Sequence, residues 1–175
     1  IDMSWDGQFL ATLSSSIDDQ QDISLWQWSK EENDPLLSAQ IHKNFQQAVK
    51  FNPANVKSLV STGSSSIIAW QWNEEELAGY AGSARASDFT SPIGDFTVSC
   101  FLPESEKIVS ATEQGNIVLW ESTASPTVMS SSAAITITKA IKLFEAAIWC
   151  LDVVGEDYIV AAGDDGSVKF FDFDF

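Results

Sequence analysis

Few side chains in this sequence have both the type and the spacing for chemistry. His42 is the only histidine, so a Ser-His-Asp triad would have to be built on it. No Gly-X-Ser-X-Gly turn offers the nucleophile, and no glycine-rich segment ends in Gly-Lys-Ser/Thr to cradle a phosphate. Asp18-Asp19-Gln20-Gln21-Asp22 and Asp164-Asp165-Gly166 have the composition of cation loops. Both lack the sixth-position glycine and the twelfth-position glutamate that shape a calcium loop. Cys100 and Cys150 are the two cysteines, and a metal site would need such ligands to converge. They fall in matching segments of a repeat and read as small buried core residues. Abundant carboxylates pair by chance, so their number alone does not signal a glycosidase pair. No catalytic residue, metal or cofactor is expected.

Aromatic pairs suggest other chemistry. Trp26 and Trp28, like Trp70 and Trp72, are spaced by two, which puts both members on one face of a strand. Such a face can stack bases or sugars, but bases also require a positive groove. The charge balance opposes it: 25 Asp and Glu face nine Lys and Arg, for a net charge of -16. This surface repels phosphate and anionic membranes and suits basic or mixed protein partners. No run of 18 apolar residues is present to span a bilayer. Neither nucleic acid nor membrane is expected as a partner. Two cysteines make no disulfide framework, which points to a reducing compartment.

The elements that carry these residues repeat. Ile23-Ser24-Leu25-Trp26, Ile67-Ile68-Ala69-Trp70, Ile117-Val118-Leu119-Trp120 and Val168-Lys169-Phe170-Phe171 share one shape. Each follows another β-type run: Leu10–Leu13, Leu59–Thr62, Ile108–Ala111 and Ile159–Ala162. Glu113-Gln114-Gly115-Asn116 and Asp164-Asp165-Gly166-Ser167 between them are hairpin signals, because glycine accepts positive φ. A further strand precedes each pair at Met3–Trp5, Ala48–Phe51, Val98–Phe101 and Ile148–Leu151. Candidate fourth strands are Leu36–Ala39, Leu77–Tyr80 and Ile141–Phe144. The second and third strands are apolar or small on both faces, so sheets packed on both sides are expected. Stacked four-stranded sheets supply that environment, with Trp26, Trp70, Trp120 and Phe171 as wedges between neighbours.

On these residues the chain resembles the WD-repeat β-propeller family. Its Trp-Asp pair reads Trp26-Gln27, Trp70-Gln71, Trp120-Glu121 and Phe171-Asp172. The family's loop aspartate falls on Asp165, with Gln114 in its place in the third copy. His42 lies in the region of the framing histidine, without the Gly-His pair. The family's Asp-His-Ser/Thr-Trp hydrogen-bond network is thus expected to be mostly missing, with apolar packing in its place. The resemblance implies an all-β fold, here a partial arc of about four blades from a larger ring. Blade-like copies are expected at about residues 1–40, 41–95, 96–145 and 146–175. Residues 74–95 and 121–134 read as insertions on one rim.

More narrowly, Phe101-Leu102-Pro103, Gly115–Trp120 and Gly166–Asp172 resemble a family of ciliary and flagellar WD-repeat proteins. That resemblance implies a non-catalytic scaffold in the motile-cilium axoneme, thus a cytoplasmic and cytoskeletal protein. Its partners would be radial-spoke subunits and subunits of the calmodulin- and spoke-associated complex at a spoke base. The alternative is a peptide-binding propeller of a ubiquitin-ligase or chromatin complex, whose acidic rim steers in a basic segment. Candidate partner contacts are Asp18, Asp19 and Glu113 on that rim, the acidic run Glu74, Glu75 and Glu76, and Trp28 and Trp72 near a blade edge.

Overall fold

A computed structural model of the protein describes residues 1–30, 33–42, 44–84, 89, 92–122 and 135–174. Among these residues, strands are grouped in four antiparallel meanders. The first sheet holds β1 (Asp2–Met3), β2 (Leu10–Leu13), β3 (Gln20–Trp26) and β4 (Leu37–His42). The second holds β5 (Gln46–Asn52), β6 (Asn55–Gly63), β7 (Ser66–Trp72) and β8 (Leu77–Ser83). The third holds β9 (Phe96–Phe101), β10 (Ile108–Thr112), β11 (Asn116–Ser122) and β12 (Ile135–Lys142). The fourth has three strands, β13 (Ile148–Val154), β14 (Tyr158–Gly163) and β15 (Val168–Phe171).

Register makes the repeat visible. Trp26 pairs with Leu10, Trp70 with Leu59, Trp120 with Ile108 and Phe171 with Ile159. The large aromatic therefore always stands opposite an aliphatic residue of the neighbouring strand. Successive sheets pack through their innermost strands: β5 on β1 and β2, β9 on β5 and β6, and β13 on β9 and β10. Those inner strands share one channel, where Asp2, Lys50, Cys100 and Leu151 come together.

Three apolar clusters lie between the sheets. Ala11, Ile23 and Leu25 meet Val49, Leu59 and Trp70 at the first junction. Val60, Ile67 and Ala69 meet Phe96, Ile108 and Trp120 at the second. Val109, Ala111, Ile117 and Leu119 meet Phe144, Ile148 and Ile159 at the third, with Phe171 packed against them. Trp120 is fully buried and Trp70 nearly so. Trp26 is half-buried, since none of the four sheets covers it on that side. Burying one such ring contributes roughly 1.5–3 kcal/mol.

Several expectations are corrected. The first sheet is not dry on both faces: β3 alternates buried and exposed residues, and Ser24 and Ser38 bond each other at 3.0 Å on the open side. The fourth strand of the third sheet starts at Ile135 and ends at Lys142, before Leu143 and Phe144. Phe144 instead enters the third junction from the connecting segment, 1% exposed. Cys150 is not a core residue. A register shift near Cys150 sets it opposite Ala162 and leaves it exposed, whereas Cys100 faces Val109 and is buried.

The two insertions leave from the same end of their sheets, after β7 and β11, but the first does not stay on that rim. Residues 77–83 of the first form the outer strand β8, which carries the chain to the opposite end of the sheet. The second departs from the end of β11 and returns at β12. Residues 85–88, 90, 91 and 123–134 lie outside the described residues.

Gly115 is fixed by geometry. Its φ is +78°, and a Cβ there would meet the Phe144 carbonyl oxygen at 2.1 Å. Gly166 has φ +76° with open space around it. Gly115→Ala is expected to lower stability well beyond Gly166→Ala, since only the former adds a backbone collision to the left-handed penalty. Trp120→Ala is expected to cost about 3–5 kcal/mol, and Trp26→Ala clearly less. Urea unfolding of the four variants checks both orderings.

Candidate functional site

The buried indoles need partners for their N–H groups, because an unpaired donor in a dry junction is costly. Each finds a hydroxyl two residues along the neighbouring strand from its aliphatic pair. Trp26 Nε1 donates to Thr12 Oγ1 at 3.0 Å, Trp70 to Ser61 Oγ at 2.9 Å and Trp120 to Ser110 Oγ at 3.1 Å. The expectation of a mostly missing network is therefore corrected. The Trp-to-hydroxyl link persists, and the histidine and aspartate are replaced by other polar groups.

Those groups cross between sheets. Ser61 Oγ donates to Gln46 Oε1 at 2.9 Å, and the Gln46 backbone N–H donates to Gln21 Oε1 of the first sheet at 2.7 Å. Gln21 Nε2 returns a bond to the Gln46 carbonyl at 2.8 Å. At the second junction Ser110 and Ser99 hydroxyls lie 2.7 Å apart, and Thr62 Oγ1 of the second sheet donates to Ser99 at 2.8 Å. A second clamp on the outer rim of that junction is carboxylate-based. Asn55 Nδ2 and Ser58 Oγ donate to the two oxygens of Glu106, at 2.8 and 2.5 Å. The fourth sheet has Phe171 and Ala161 in the corresponding places, so donor and acceptor are absent together. Sequence pattern alone hid this relay, because glutamines and serines within strands carry no motif.

With the sheets locked, the loops form two rims. Asp18 and Asp19 sit at the tip of a two-residue hairpin with φ of 51° and 59°, and Ile17 and Gln20 exchange backbone bonds across it. Aspartate tolerates that left-handed pair, as a mirror-type hairpin turn requires. Glu113 shares this rim, its N–H donating to the Asp95 carbonyl at 2.9 Å. Asp165 also lies here. It accepts from the Ser167 hydroxyl and N–H, at 2.6 and 2.9 Å, and these bonds hold its carboxyl below the usual range.

Glu74, Glu75 and Glu76 lie at the other end of the sheets. They are exposed in a turn where Asn73 Oδ1 accepts the N–H groups of Glu75 and Glu76. Trp28 is 55% exposed on a short 3-10 turn and donates to the Gly7 carbonyl. Trp72 is corrected. It is only 7% exposed, packs edge-on against Phe9 with centroids 4.9 Å apart, and donates to the Val56 carbonyl. It closes the first junction rather than presenting a free edge. The acidic contacts are thus divided between opposite rims.

Among the described residues, no three His, Cys, Asp or Glu side chains converge as a metal site. Burial pushes the Cys100 thiol up to about 12, with the Asp152 carboxylate adding to it. A thiol that remains protonated is neither nucleophile nor ligand. Among the described residues the geometry offers surfaces and a channel, with no metal-binding cluster.

These features, with sheets packed in sequence around shared inner strands, define one arc of a β-propeller. The β-propeller domain of Cps50 (Swd1) from Myceliophteria thermophila aligns with it at a TM-score of 0.71 and 11% identity, over 98% of this chain and 50% of that one. U3-55K aligns at 0.68 and 19% identity, over 99% of this chain and 46% of that one. At such identities the likeness establishes fold alone.

Sequence relatives are more specific. The family model described as the CFAP251 N-terminal domain matches residues 1–175, and the chain belongs to that family. It is 32% identical over 192 residues to cilia- and flagella-associated protein 251 of Chlamydomonas reinhardtii, covering 98% of this chain and 23% of that protein. The Mus musculus protein of the same name is 32% identical over 175 residues, covering 95% of this chain and 13% of the relative. The chain therefore spans less than a quarter of the length of these relatives.

Ser110→Ala alone leaves the Trp120 N–H unpaired and is expected to cost about 1–3 kcal/mol. In a Trp120→Phe background the same change is expected to cost markedly less, since the pair then matches Ala161 and Phe171. A double-mutant cycle by chemical denaturation measures the difference. In the native state Cys150 is expected to react with maleimide at pH 8 while Cys100 does not. The raised Cys100 pKa also means its contribution to stability is present below pH 9 and is lost as pH rises from 9 toward 12.

Proposed function

We propose that the protein is a non-catalytic scaffold of the motile-cilium axoneme, acting in the calmodulin- and spoke-associated complex at a radial-spoke base. Its family is one of cilia- and flagella-associated proteins, and membership over residues 1–175 is the observation that carries this reading. The physical form agrees with it. Hydrogen-bonded and apolar junctions make the sheets a rigid body, while connecting loops vary without disturbing them. Acidic groups on both rims allow partners to be engaged from two sides at once, and the charge favours basic or mixed surfaces.

Affinity purification of the full-length protein from ciliated cells tests the proposal. Recovery of radial-spoke subunits and calmodulin-associated proteins is the expected outcome. Recovery of cullin adaptors or histones in their place would instead support a peptide receptor and overturn it.

A further inference from the structure

The inner strands of the second, third and fourth sheets end in turns around an open cleft of about 770 Å³ at the mouth of the channel. Pro53, Phe101, Pro103 and Val153 form its apolar walls, and Glu104 and Asp152 line it. That volume is typical of ligand-sized pockets, in which an apolar lining is combined with a few placed polar groups. Among the described residues neither carboxylate is in an ion pair. The nearby cations are already engaged: Lys50 lies 3.5 Å from Asp2, and Lys107 lies 2.7 Å from Glu121.

The backbone sets Glu104 apart. It adopts φ +51°, and Gly155, with φ +65°, occupies the matching place in the turn of the fourth sheet. Both are four residues before the aliphatic residue that pairs with the wedge aromatic, Ile108 and Ile159 respectively. Glycine meets that conformation without penalty, whereas glutamate does so at a cost. A carboxylate is thus held at the channel mouth where the backbone alone favours glycine.

We propose that this cleft is a docking site for an extended segment of a partner protein that presents lysine or arginine beside an apolar residue. The apolar walls take the uncharged side chain, and Glu104 and Asp152 meet the cation. Charge complementarity selects this occupant over nucleic acid or another acidic surface. The site lies at the opposite end of the sheets from Asp18, Asp19 and Glu113. The inference deepens the scaffold reading by naming a partner chemistry, and its failure would leave that reading to the purification described above.

The test is fluorescence anisotropy of the intact protein with a labelled peptide of Gly-Leu-Arg repeats, and a Gly-Leu-Glu peptide as control. Binding of the basic peptide alone, weakening with salt, is expected. Glu104→Gly is expected to reduce affinity about three- to tenfold without lowering the thermal midpoint, because the turn conformation is relieved. Asp152→Asn should also weaken binding, and Glu113→Gln on the other rim should not. Three results would each overturn the proposal. They are no binding, binding unchanged by Glu104→Gly and Asp152→Asn, and equal loss from Glu113→Gln.

Discussion

An indole held between two sheets, with its N–H satisfied by a hydroxyl on the adjacent strand, is the contact on which the rest depends. The ring is among the largest apolar side chains of the junction and helps to exclude water from it. Dryness then makes the single polar group on that ring a liability unless it is paired. Thr12, Ser61 and Ser110 answer that need at one register position. The hydroxyls of Ser61 and Ser110 in turn bond Gln46 and Ser99, which carry the chain of bonds to the preceding sheet. Wedge and relay are one device: the first brings neighbouring sheets together, and the second fixes how they are rotated and slid.

The fourth sheet clarifies the logic by departing from it. Phenylalanine stands where the others have tryptophan, and alanine where they have a hydroxyl. Removing both partners of a buried hydrogen bond is far less costly than removing one. The third junction accordingly depends on shape, with Phe144 inserted from the connection and Gly115 and Gly163 leaving room beside it. The first sheet departs in another way. Its open face carries Ser24, Ser38 and Gln40, so the two ends of the arc differ in character.

Rigidity of this kind explains why the chain can be acidic without losing its fold. Carboxylates are placed in turns and at rims, where solvent screens them, and the described ion pairs are few and exposed. Such pairs contribute little to stability. Glu106 departs from this, its two oxygens serving a clamp between the second and third sheets, and so does Asp2, which accepts the Phe51 N–H across the first junction. Surface charge is thereby free to serve recognition, and the loops that carry it are held in register by sheets that do not move with them.

Much of this was legible in the chain itself. Recurring aliphatic-aromatic runs, with Gly115 and Gly166 between strands, determined the four sheets, their antiparallel pairing and the wedge positions, because strand period and turn chemistry are local. Only tertiary structure decided how sheets are tied to one another. Gln21 reaches Gln46 across 25 residues and Thr62 reaches Ser99 across 37, distances over which no periodicity operates. It also decided that Cys150 is exposed while Cys100 is buried, that Trp72 is enclosed, and that the acidic groups divide between two rims. A register shift, a neighbouring sheet and an outer strand that reverses direction set those outcomes, and each is a property of packing rather than of residue type.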